Sequence, residues 1–161
     1  MTIEELPPTL GLSIRSWLRS LRARNLSAQT MASYAESARQ LFDHHVKAGG
    51  KPEIEAIDKR AVEGFLIDLA ARTKPTTVSV RFRALQQLFK WAVDEEFMTR
   101  SPMERMKTPA VPEVPVPVVS SEAITSLLAT CAGKTFEDHR DRAIILLFVD
   151  TGVRLSENGR T

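Results

Sequence analysis

Between Thr108 and Val119 the chain reads Thr-Pro-Ala-Val-Pro-Glu-Val-Pro-Val-Pro-Val-Val, with prolines at Pro109, Pro112, Pro115 and Pro117. Each proline fixes φ and removes an amide donor, so this stretch is barred from a helix and favours an extended, semi-rigid form. It is read as a linker over 108–119 between residues 1–107 and residues 120–161; the alternative is an irregular loop inside one domain, and the change of composition on either side favours the linker. The 161 residues suffice for one ordinary domain and a fragment, or for two small domains.

Before the strap, apolar spacing predicts four helices. The first, near Leu10 to Arg24, sets Ile14, Trp17, Leu18 and Leu21 on one face and Arg15, Arg19 and Arg22 on another. Ser27 is placed to cap the second, with Leu26 and Met31 as a hydrophobic staple. Its inner side carries Met31, Tyr34, Ala35, Ala38, Leu41, Phe42 and His45, and Gly49-Gly50 with Pro52 ends it. Asp58 caps the third, which buries Val62, Phe65, Leu66 and Leu69. The fourth, from about Thr76 to Glu96, has Val78, Phe82, Leu85, Phe89 and Ala92 as its core stripe. Four apolar faces imply an all-α bundle.

After the strap, Ser120 is placed to cap a helix containing Ile124, Leu127 and Leu128, with Glu122 in its first turn. A second helix holds seven consecutive apolar residues from Ala143 to Val149. That run is too short to span a bilayer and suits a helix buried on most sides, with Thr151-Gly152 as its stop. Arg154 follows the turn. A guanidinium stays charged and offers forked donors that fit two phosphate oxygens, which suits a phosphodiester gaining charge during transfer. On spacing alone Arg154 is a surface or salt-bridged arginine and Glu157 its exposed i,i+3 partner.

Charge and cysteine usage narrow the classes further. Residues 1–109 hold 17 Lys+Arg against 13 Asp+Glu, and residues 110–161 hold 5 against 7, so the positive excess lies in the first part. Cys131 is the one cysteine, which excludes an internal disulfide. His44 and His45 are adjacent, so their rings diverge by about 100° on a helix and make a poor metal clamp. No metal or cofactor is expected. Met1 to Leu10 carries Glu4 and Glu5 without a basic start or long apolar core, so no signal peptide is read and a cytoplasmic location is expected.

The run from Arg140 to Glu157, RDRAIILLFVDTGVRLSE, resembles the first catalytic-arginine motif of the tyrosine recombinase (phage integrase) family, whose usual form is RDRAILLLLLxTGLRLSEL. The first part is similar to the family's core-binding domain, a small SAM-like four-helix bundle. Ser27, Thr30 and Tyr34 fit S-x-x-T-x-x-x-Y, and Thr77, Arg81, Ala84, Leu85, Phe89, Trp91 and Ala92 fit T-x-x-x-R-x-x-A-L-x-x-x-F-x-W-A. The segment after Ser120 resembles the opening of the catalytic domain, which would supply two to three helices over 120–161. Members also join the two domains by an extended segment beginning with a turn such as Ser101-Pro102 here.

The resemblance implies a DNA-binding domain over 1–107 acting on double-stranded DNA, with other recombinase protomers as partners and no membrane. It makes Arg154 a catalytic arginine and Glu157 the acidic residue that orients it. Members stabilise a pentavalent phosphate with two arginines while a tyrosine attacks, and so need no metal or nucleotide. A catalytic lysine, a His-x-x-Arg motif and a tyrosine nucleophile would follow the first arginine; Tyr34, the one tyrosine, lies far from that place. The chain is therefore expected to be a truncated member that binds DNA without cleaving it, with possible self-association through exposed helices of the second part.

On the predicted fourth helix the face opposite Phe82 and Leu85 carries Thr76, Arg83, Gln87 and Lys90, with Arg81 at its border. These side chains suit phosphates and, for Arg83 or Gln87, base edges in a major groove. Lys74, Thr76 and Thr77 stand at the helix start, where free backbone amides also favour phosphate. The plain alternative is a solvated helix face. A rival for the whole chain is a helical protein-interaction module whose basic residues only solvate it; a helix-turn-helix repressor is a weaker third choice, since no tight glycine turn stands out.

Overall fold

The computed structural model of the chain describes residues 5–112 and 118–152. It is all-helical, with no strand among the described residues. Two compact units divide it, Met1–Glu113 and Val114–Thr161.

The first unit holds α1 (Pro8–Ala23), α2 (Ala28–Lys47), a short 3-10 turn (Ile54–Ala56), α3 (Lys59–Arg72) and α4 (Pro75–Asp94). Local chemistry sets most boundaries. The Ser27 Oγ accepts from the Thr30 amide at 3.2 Å, and an Asp58 carboxylate oxygen accepts from the Ala61 amide at 2.9 Å, so both expected caps form. Pro8 and Pro75 occupy the first turn of α1 and α4, where a missing N–H costs nothing. The C-terminal ends of α1 and α4 close in the same way. The Leu26 amide reaches back to the Leu21 carbonyl and the Phe97 amide to that of Ala92, with Asn25 and Glu96 left-handed at φ 58° and 62°.

Within this unit α2 is the central element, packing against α1, α3 and α4, while α3 also packs on α4 and α1 meets the 3-10 turn. Trp17, Phe42, Phe65, Phe82 and Phe89 are fully enclosed, each worth roughly 1.5–3 kcal/mol by removal from water. Trp17 of α1 stacks on Tyr34 of α2 with centroids 5.6 Å apart and planes 6° apart. Every residue named for the stripes of α3 and α4 is buried. On α1, Leu18 is half-buried, and on α2 so are Met31, Tyr34 and Ala35. The core also takes in Leu6, Ile54, Ile57 and Met103, which sit in short segments with no period to betray them.

The adjacent His44 and His45 make separate contacts. His45 is buried, its Nε2 lies 3.1 Å from the Lys51 carbonyl oxygen, and Gly50 lies against its ring. His44 reaches Asp68 of α3 at 2.9 Å and meets Phe65 edge-on.

The second unit holds α5 (Ser121–Ala129) and α6 (Phe136–Thr151). Ser120 caps α5 through the Ala123 amide, and Thr135 and Asp138 form a reciprocal capping box on α6. Gly152 ends α6 in the left-handed conformation at φ 62°. The run Ala143–Val149 suits burial on most sides, but in this chain it is exposed, as expected for the helices of the second part: Ile144, Leu146, Leu147 and Val149 are 40–51% exposed, and neither helix has a buried residue. A helix apolar around most of its circumference needs cover on several sides, and the nine residues of α5 do not provide it.

Candidate nucleic-acid interface

The outward face of α4 follows from its inward one. Because Val78, Phe82, Leu85, Phe89 and Ala92 are buried, the helical repeat turns positions 76, 80, 83, 87 and 90 away from the core. Thr76, Arg83 and Lys90 are exposed and Gln87 half-exposed, so these four align as expected. Neither Arg83 nor Lys90 meets a carboxylate among the described residues. The Arg83 Nε makes only a long hydrogen bond, 3.4 Å, back to the Ser79 carbonyl. Two cations are thus held about two helical turns apart on one ridge with their charge uncommitted.

Arg81 differs from them. Its Nη1 donates to the Ser33 carbonyl at 3.0 Å and to the Ser37 Oγ at 3.1 Å, and its Nε is buried without an acceptor. The Ser37 hydroxyl in turn donates to the Ser33 carbonyl at 2.7 Å. Arg81 therefore ties α4 to α2, and its charge also helps to hold down the Glu36 carboxyl. The pKa of Glu36 is lowered to about 2, chiefly by the hydrogen bond from Arg39, against partial desolvation, with Gln40 and the charges of Arg39 and Arg81 adding to it.

The start of α4 offers fewer free amides than a bare helix terminus. Lys74 is exposed in the cap position and its side chain makes no cap. Its carbonyl accepts from both the Thr77 and Val78 amides, at 2.9 and 3.2 Å. Since Pro75 has no N–H, the Lys74 and Thr76 amides are the two left to offer themselves to an anion there. Thr76 and Thr77 instead present hydroxyls, lining with Ser33, Val80 and Arg81 a shallow depression of ≈ 220 Å³. Ser33 and Val80 are the residues that sequence reading passed over. Val80 carries a signal of its own, an apolar side chain 41% exposed in the middle of a polar stripe. Arg154 and Glu157 lie outside the described residues.

No helix among the described residues is long and apolar enough to cross a membrane. Residues 14–99 match the family model described as phage integrase, N-terminal SAM-like domain. Curated relatives include the tyrosine recombinase XerC of Chlorobaculum tepidum, 28% identical over 83% of this chain and 46% of its own length. That of Roseiflexus castenholzii is 32% identical over 89% of this chain and 46% of its own, and that of Syntrophus aciditrophicus 30% identical over 83% and 46%. The chain thus spans about half the length of the curated relatives it matches. No solved structure matches it.

Proposed function

Because the chain belongs to the tyrosine recombinase (phage integrase) family, we propose that its first unit is a core-binding domain over residues 1–107 that holds double-stranded DNA along the outer face of α4. The strap over 108–119 then joins it to the opening of a catalytic domain over 120–161, with Arg154 and Glu157 at the first catalytic-arginine position. The observation that carries the reading is the ridge of Thr76, Arg83, Gln87 and Lys90, whose two cations have no carboxylate partner among the described residues. Cations left unpaired on a rigid helix suit phosphates that they relieve of counterions. Gln87 between them has the donor and acceptor needed for a base edge. Lys74, Thr76 and Thr77 complete the binding surface at the helix start. Arg81 serves it indirectly, by fixing α4 against α2.

The chain binds DNA in this reading and does not cut it. The one tyrosine, Tyr34, is half-buried and stacked on Trp17, with no base beside it among the described residues to activate the phenol. In this reading other recombinase protomers are the partners, as the resemblance to the family implies.

The test is fluorescence-anisotropy titration of the full chain with duplex DNA over a salt series, beside an Arg83→Ala/Lys90→Ala double variant. Affinity should fall steeply with salt, and the log–log slope should be shallower by about 2 in the variant, close to one for each phosphate no longer neutralised. Absence of binding at low salt would refute the reading.

A further inference from the structure

Val80 is an apolar, β-branched residue 41% exposed on a helix face that is otherwise polar. It does not serve the core, which lies on the opposite side of α4. Valine is also a weaker helix former than the Arg83 and Gln87 that follow it on the same face, because χ1 is restricted against the preceding turn. Its neighbours give the position a defined shape. Thr76 and Thr77 stand one turn before it, Arg83 nearly one turn after, and the depression that it lines is walled on the α2 side by Ser33. Two Arg81 hydrogen bonds, at 3.0 and 3.1 Å, fix the Ser33 segment to α4. The apolar spot is thus held in place from beneath and rimmed by hydroxyls.

In a DNA major groove the one apolar group on a base edge is the 5-methyl of thymine, and side-chain methyl groups are what pack on it. Cations on the same ridge bring the phosphates near, which gives the charge complementarity that such packing needs. We propose that Val80 is a specificity-determining residue that packs against a thymine methyl group in the bound site, with the Thr76 and Thr77 hydroxyls beside it. This rests on the α4 ridge being the DNA-binding face.

The experiment selects a preferred duplex from a randomised pool with the full chain. Affinities are then measured for that duplex with single thymines replaced by uracil, which removes only the methyl group. The wild-type chain is expected to lose about fourfold at one thymine, the weight of one buried methyl group. Val80→Ala, a surface change, should lose that distinction while still discriminating at the other selected positions. Equal thymine-to-uracil losses in wild type and Val80→Ala, or no loss at any thymine, would overturn the proposal while leaving DNA binding intact. So would binding of the pool with no sequence enriched. Failure to bind any duplex would overturn both the proposal and the reading beneath it.

Discussion

Glu96 holds a backbone conformation that costs an L-residue with a Cβ about 1 kcal/mol. It does so just past α4, next to Asp94 and Glu95, where the helix carbonyls already concentrate negative potential. Glu96→Gly should therefore raise stability by about 0.5–1 kcal/mol, visible as a higher urea midpoint. Gly50 presents the reverse case, since a Cβ there would come within 2.2 Å of the His45 ring. Gly50→Ala should destabilise the unit by about 1–3 kcal/mol as that ring is driven from its place. Glu36 predicts a pH effect. Its folded pKa, about 2, lies below its ordinary 4.5, so its contribution is present above about pH 4.5 and is lost as pH falls towards 2. The side chain is 39% exposed, so solvent screening keeps the effect below about 1 kcal/mol. Glu36→Gln should narrow the difference in melting temperature between pH 6 and pH 3. None of these effects was legible in the sequence, because each depends on a dihedral, a close approach or a neighbour that spacing does not reveal. Arg81 belongs with them: its position beside the polar stripe suggested that it touches DNA, and only the approach of α2 shows where its Nη1 is engaged.

At the scale of elements the sequence was most readable where one residue's chemistry decides a boundary. Ser27, Asp58 and Ser120 cap as their side chains require, and Gly152 ends α6. The α4 stripe was equally plain, since four large or β-branched residues, with Ala92 in register behind them, admit one inward face at helical spacing. What escaped was the material between helices. Ile54 and Ile57 enter the core from a three-residue turn and its flank, and Met103 from the segment after α4, all too short to show periodicity. The Thr135–Asp138 capping box was also passed over, because Asp serves there in place of the usual Glu or Gln. Caps should differ in what their loss reveals. Ser27→Ala, on a helix packed against three others, should lower the global unfolding free energy by about 1 kcal/mol. Thr135→Ala, on a helix with no buried residue, should reduce helical circular dichroism while leaving the melting of the first unit unchanged.

Among the described residues of the whole molecule, burial is confined to the first unit, while the second presents Phe136, Ile144, Leu146, Leu147 and Val149 to solvent. An apolar surface of this kind favours association. Sedimentation of the full chain should show a weight-average mass that rises with concentration, and Leu146→Glu/Leu147→Glu should flatten that rise; a monomer at every concentration would count against it. The run from Ala143 to Val149 was legible both as a helix and as an exposed one, since α5 is the one other helix described in the second unit and is too short to cover it. On the first unit the division of labour within α4 has a different consequence. Thr76, Val80, Arg83 and Gln87 bear none of the core, so they are free to be exchanged in combination at little cost to folding. A library randomised at those four positions would keep its scaffold while its preference among DNA sequences drifts, which makes this ridge a place where natural or laboratory selection can retarget the protein.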